Sequence, residues 1–256
     1  MSSLRVLTVG WWMHLKMLSR SAFDGILAIV YPLFFAATVF FIYGQSADQD
    51  ALIAAAVGAS AMGVWSAVST SAATAIQRER QQGTLELLVA APRPFALLMA
   101  PVTLAMATIG LYSFVATLVF ARVFFGIHIS VADPVMFLVC CLALALAIGL
   151  MGFLLSVTSV RYRSAWALGT AFEFPVWLLC GFVVPLLVLP TWTRPISWAL
   201  PPTWGINALN HAVVGEPAWL DVFACLAIGA VYAGVAALLA GRLITSAREH
   251  ATLALS

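Results

Sequence analysis

Metal binding, nucleophilic catalysis and phosphate binding each need particular residue types at particular spacings. This chain holds few of them. Its four histidines, His14, His128, His211 and His250, are scattered, and no HExxH or GxSxG pattern occurs. Cys140, Cys141, Cys180 and Cys225 lie inside apolar runs with no CxxC pair, which reads as small apolar packing rather than metal ligation. A phosphate-cradling loop of the form GxxxxGK(S/T) needs a lysine behind glycines. The only lysine is Lys16, in MHLKMLS, with no such loop before it. No metal site, cofactor site or nucleotide site is expected in the chain, and no apolar run gathers the acids that a lipid-modifying enzyme would use.

Two places remain where polar residues stand out. Glu173 is the one acid well inside an apolar window, and an intramembrane carboxylate is costly and often functional. It is open to three readings: a polar contact between subunits, a site for a cationic cargo, or a group bonded to a neighbouring helix or to Arg161 or Arg163. The second place is RERQQGTLELLVAAPRP, Arg78 to Pro94, a small charged segment between two long uncharged runs. Gly83 is expected to interrupt any helix arriving from the left. Thr84 can cap a short helix, LELLV, and Pro92 and Pro94 end it. Leu85 and Leu88 on one face of that helix would need a partner, so the segment reads as a docking element.

The elements that carry these residues follow from composition. Of the 256 residues 63% are hydrophobic and 9% charged, with a mean hydropathy of +1.04. Soluble domains carry roughly 25% charged residues, so the chain is expected to be an all-α integral membrane protein. A net charge of +2 is too small to suggest nucleic acid. Six windows reach the ~20 apolar residues of a membrane span: 25–43, 52–76, 94–120, 134–158, 165–189 and 220–244. An even number puts both termini on one side. Arg5, Lys16, Arg20, Arg78, Arg80, Arg93, Arg161, Arg163, Arg242 and Arg248 share that side, against Arg122 and Arg194 on the other. The positive-inside rule makes the first side cytoplasmic. A single domain, 1–256, in the cell membrane is expected, with no repeat.

Residues 1–20 space Leu4, Leu7, Trp11, Leu15 and Leu18 at helical steps, with Arg5, Lys16 and Arg20 supplying charge. They read as an amphipathic helix on the inner leaflet, or else a tail without structure. Ser21 and Asp24 resemble a capping box opening the first span. Between the fifth and sixth windows, Pro190 to Trp219 holds four of the nine tryptophans and is too apolar for a solvated loop. Short re-entrant helices in the outer leaflet would satisfy it. Its tryptophans read as interfacial anchors or cargo contacts. The small-residue run 54–75 reads as close helix packing within the subunit, or as a dimer seam or translocation wall.

The order of the charged segment, Arg-Glu, then Gly-Thr-Leu-Glu, apolar residues and Pro, resembles the permease of a type-2 ABC exporter, in the branch that includes daunorubicin-resistance permeases. The run CGFVVPLLVLPTW…ISWALPPTW is similar to that family's Gly-x-x-x-Pro…Leu-Pro…Pro pattern, here Gly181, Pro185, Pro190 and Pro201. The resemblance implies that Arg78 to Val89 is a cytoplasmic coupling helix seated in a separate ATPase. Arg78 lies at its start, and Glu79, Gly83, Thr84, Leu85 and Glu86 fall on the motif. It implies two ATPase subunits holding ATP and Mg2+, a second permease copy or paralogue, and outward movement of a hydrophobic or amphipathic cargo such as a drug, lipid or secondary metabolite. Antibiotic resistance would be an analogy at fold level. The alternatives are a polysaccharide- or glycolipid-exporting ABC permease and a proton-coupled transporter using Glu173, for which inverted repeats would be expected.

Overall fold

In lipid every backbone polar group must find its partner within the protein, which favours helices. The fold is given by a computed structural model that describes residues 3–20, 30, 33–34, 36–41, 49–81, 83, 95–158 and 165–250, with side chains described outside 3, 18–20, 73–81, 95–96, 165–170 and 243–250. Among these residues there are helices and no strand. They are α1 (Ser3–Arg20), α2 (Gln49–Gln81), α3 (Phe95–Phe125), α4 (Pro134–Thr158), α5 (Ala165–Leu179), α6 (Arg194–Ala199), α7 (Pro201–Val214) and α8 (Trp219–His250). Two single 3-10 turns, Leu186–Val188 and Thr191–Thr193, lie between α5 and α6.

Among the described residues four stretches are long and apolar enough to cross a bilayer: Gln49–Ala72, Leu97–Phe125, Pro134–Thr158 and Trp219–Arg242. The protein is a multi-pass membrane protein. The window 25–43 lies mostly outside the described residues, as do Ser21 and Asp24. Its stretch 36–41 is helical and packs Phe40 against Phe125, ring centroids 4.9 Å apart. The window 165–189 is not one helix. α5, described from Ala165, stops at Leu179.

α2 sits at the centre and packs against α3, α4 and α5, while α4 packs against α7 and α8. Most of the α2 wall is Ala, Val and Ser, buried on nearly every side from Ala55 to Ser69. Small partners let the helices close on it. A Cβ on Gly110 of α3 would meet Val64 at 2.8 Å, and one on Gly152 of α4 would meet Val68 at 2.8 Å. Ser156 of α4 donates to the Ala72 carbonyl at 2.8 Å. The small-residue run therefore packs within the subunit. α4 begins at Pro134 because its first position needs no N–H, and Asp133 Oδ1 accepts the Met136 N–H at 2.9 Å.

α1 is docked rather than free. Gly10 lies so close to Pro101 of α3 that a Cβ would meet its ring at 2.8 Å. Beside it the Trp11 indole N–H donates to Thr108 Oγ1 at 3.0 Å. The packed face is Val6, Leu7, Gly10, Trp11, His14 and Leu15, all half-buried, while Leu4 is 72% exposed. It is rotated from the Leu4–Leu7–Trp11–Leu15 face of the hydropathy pattern because closeness at Gly10, not apolarity, sets the contact.

Candidate functional site

α2 carries or touches several of the candidate residues. At one end it runs past its apolar stretch through Arg78, Glu79 and Arg80 to Gln81. Arg, Glu and Gln are good helix formers, so leaving the apolar zone does not end the helix. Gly83 then takes φ +69°, left-handed backbone that a residue with a Cβ adopts only with strain. No described residue lies within 4 Å of where its Cβ would be, so the left-handed backbone is what favours glycine here. Thr84, Leu85 and Glu86 fall outside the described residues, and α3 starts at Phe95.

Glu173 of α5 is 3% exposed, and its Oε1 accepts the Ser66 hydroxyl of α2. Ser66 is thus a partner for Glu173 on a neighbouring helix of the same chain, while Arg161 and Arg163 lie outside the described residues. A carboxyl buried among helices is tolerable only with a hydrogen-bond partner. Ser66 supplies it from 107 positions away.

Beyond Glu173, α5 ends in a Schellman turn. The Gly181 N–H reaches the Leu178 carbonyl at 3.3 Å, and the Phe182 N–H reaches the Trp177 carbonyl at 3.0 Å. Gly181 carries the turn at φ +80°. The turn delivers the Phe182 carbonyl onto α2 at Gly58, where a Cβ would stand 2.0 Å from the oxygen. Gly58 pairs with Phe182, and Ser66 with Glu173, so α2 and α5 run antiparallel and touch at two heights.

The chain past the turn is punctuated by proline. Pro185 and Pro190 immediately precede the two 3-10 turns, and Pro201 and Pro202 open α7. α7 buries Pro201, Thr203, Gly205, Ile206, Ala208 and Leu209. Gly205 lies against Leu144 of α4 and Cys225 of α8, where a Cβ would meet 2.5 Å and 3.3 Å contacts. Trp192, Trp198 and Trp219 stand out from this end, 55–70% exposed. Gly181, Pro185, Pro190 and Pro201 thus fall along one broken segment, and next to Gly181 the Phe182 carbonyl meets α2 at Gly58.

Sequence reasoning passed over two features. Gly58 looked like any other small residue of α2, and no local pattern marks its close approach. The His211 ring Nδ1 meets Asp221 Oδ2 at 2.8 Å, tying α7 to the first turn of α8, with Glu216 at 3.8 Å from Nε2. Its ten-residue spacing across a loop carried no signal. Among the described residues no group of three or more His, Cys, Asp or Glu is placed to hold a metal.

No curated protein matches the chain. Residues 5–214, from α1 through the end of α7, match the family described as ABC-2 type transporter. That match takes in the central helix, the Gly83 turn and the proline-broken segment, and the chain belongs to the ABC-2 type transporter family.

Proposed function

We propose that this chain is the membrane permease of an ABC exporter and that α2 is the element through which a separate ATPase acts. The observation that supports this reading is the continuity of α2. One unbroken helix links the Gly83 turn just past its end to the Gly58–Phe182 contact about 35 Å back along it. Arg78, Glu79, Gly83, Thr84, Leu85 and Glu86 would seat in the ATPase, with ATP and Mg2+ held there and not here. Closure of two ATPase subunits would displace the end of α2. Ser66 and Gly58 would carry that displacement to α5 and the broken segment beyond it.

The cargo is hydrophobic or amphipathic, in keeping with an interior whose polar side chains are mostly serine and threonine. Phe172, Phe174 and Leu178 on α5 are 47–55% exposed and offer an apolar face to a second permease copy. The segment from Gly181 to α7 would form a re-entrant outer region, with Trp192, Trp198 and Trp219 in the headgroup zone. The multidrug branch is the preferred placement. Six spans with both termini cytoplasmic fit the arginine distribution.

The test is copurification followed by uncoupling. Tagged protein taken from its own membranes in mild detergent is expected to bring an ATPase subunit in stoichiometric amount. Gly83→Pro with Glu86→Arg is expected to leave the helices folded while abolishing cargo-stimulated ATP hydrolysis. Normal transport by that variant would show that the coupling segment lies elsewhere. Repeated recovery of the chain alone would favour a proton-coupled carrier built on Glu173.

A further inference from the structure

We infer that the corner where α4 and α8 begin is a binding site for a phospholipid with a primary-ammonium headgroup, such as phosphatidylethanolamine. A cavity of about 340 Å³ opens there, a size in the range of small-ligand sites. Asp133, Val135, Met136 and Val139 line one side of it, Glu216 and Trp219 the other. Backbone bonds hold the two sides together. The Ala132 N–H donates to the Val213 carbonyl at 3.1 Å and the Asp133 N–H to the Ala212 carbonyl at 3.3 Å, joining the entry of α4 to the end of α7. Gly215 then turns the chain at φ +87°, with Ala132 3.1 Å from where its Cβ would be. Glu216 follows directly, so Asp133 and Glu216 rise from the two sides of one seam.

The charge of this corner asks for a cation. Asp221 is bonded to the His211 ring at 2.8 Å. Glu216 stands 3.8 Å from the other ring nitrogen, beyond hydrogen-bond range. Asp133 spends Oδ1 on the Met136 N–H, and no Lys or Arg lines the cavity. Among the described residues no three acids, His or Cys are placed to hold a metal ion, so an ammonium is the cation that fits.

The surroundings select an amphiphile. The apolar stretches able to span the bilayer start at Pro134 and Trp219, so the cavity lies where headgroup meets acyl chain. From it Val135, Leu138 and Leu142 run down α4 at helical spacing, 49–74% exposed. An acyl chain covers that stripe, and the Trp219 indole suits the boundary above it. A primary ammonium donates to both carboxylates in charge-assisted bonds. The methyl groups of choline remove those donors, and an anionic headgroup is repelled. A soluble amine leaves the apolar stripe bare.

The site is tested on the full chain in detergent by native mass spectrometry. Phosphatidylethanolamine, its N-methyl and N,N-dimethyl forms and phosphatidylcholine are titrated in turn. Retention is expected to fall about tenfold from the first to the last. Asp133→Asn with Glu216→Gln is expected to bring phosphatidylethanolamine down to the level of phosphatidylcholine. Asparagine still caps the Met136 N–H, and Glu216 is on the surface, so the thermal midpoint of the variant should match the wild type. Equal retention of the two lipids by the wild type, or an unchanged preference in the double variant, would overturn the inference. Displacement of the lipid by excess ethanolamine would also overturn it, making the site one for a free amine. In native membranes, a benzophenone amino acid in place of Val135 is expected to give phospholipid adducts. Adducts to protein alone would make this corner a protein interface instead.

Discussion

The carbonyl oxygen of Phe182 occupies the space into which Gly58 would project a side chain, 2.0 Å from the position of a Cβ. About two turns along α2, Ser66 holds the carboxyl of Glu173. The end of α5 is therefore fixed to α2 by one contact between backbones and one between side chains.

The first contact predicts a contrast between glycines. Gly58→Ala must push the Schellman turn away from α2 and is expected to cost about 1–3 kcal/mol, the range for overpacking a close contact. Gly234 of α8 has nothing within 4 Å of its would-be Cβ. Gly234→Ala should melt at or above the wild-type temperature. Thermal unfolding in detergent compares them, and equal midpoints would mean that α2 and α5 do not meet at Gly58.

The second contact predicts an asymmetric pair. Ser66→Ala leaves a buried carboxyl without its donor, at a cost of about 1–3 kcal/mol. Glu173→Gln keeps an acceptor for the Ser66 hydroxyl and is expected to fold close to the wild type. A double-mutant cycle with Ser66→Ala and Glu173→Leu should be clearly non-additive. Cargo export by Glu173→Gln at wild-type rate would also set aside proton coupling through this carboxyl.

Gly83 and Gly181 share a left-handed backbone but differ in their surroundings. Alanine at either costs about 1–2 kcal/mol of local strain. At Gly181 the new methyl also meets Leu186 at 3.3 Å, and the turn that places Phe182 is disturbed. Gly181→Ala is expected to lower the melting temperature of the whole protein. Gly83→Ala meets no described residue, so it should lower melting less than Gly181→Ala while reducing the stimulation of ATP hydrolysis by cargo. Hydrolysis assays and melting curves on the two variants separate the effects.

Docking of α1 can be weighed by its hydrogen bond. Trp11→Phe keeps most of the apolar contact and loses the 3.0 Å bond to Thr108, for about 1 kcal/mol. Thr108→Val should cost a similar amount, and the double variant little more than either alone. Limited proteolysis of the first twenty residues should speed up in parallel with the loss.

The helical class was legible from hydropathy, and Asp133 and Pro134 already stand in the sequence where α4 begins. Other boundaries moved for physical reasons. Hydropathy windows close at charges, whereas helices close at backbone breaks, so α2 runs on through Arg78–Arg80 to Gln81. The reverse holds in α5, where apolar residues continue to Leu189 but Gly181 stops the helix at Leu179. Gly181 and Pro185 carried that signal in the sequence. The partner of Glu173 was not legible, because Ser66 is distant in the chain and is one serine among several on α2. The rotated face of α1 was hidden for a related reason: it depends on Pro101, which hydropathy counts as part of another helix.

The unbroken course of α2 has a consequence for length. A helix fixes angular phase as well as distance, so the way the Gly83 turn points is locked to the way Gly58 faces, about seven turns away. One alanine inserted near Thr70 would keep every apolar residue and lengthen the helix by about 1.5 Å, yet rotate one end against the other by about 100°. In the proposed coupling, the number of residues between those glycines is itself a working part, as the tooth count is of a gear.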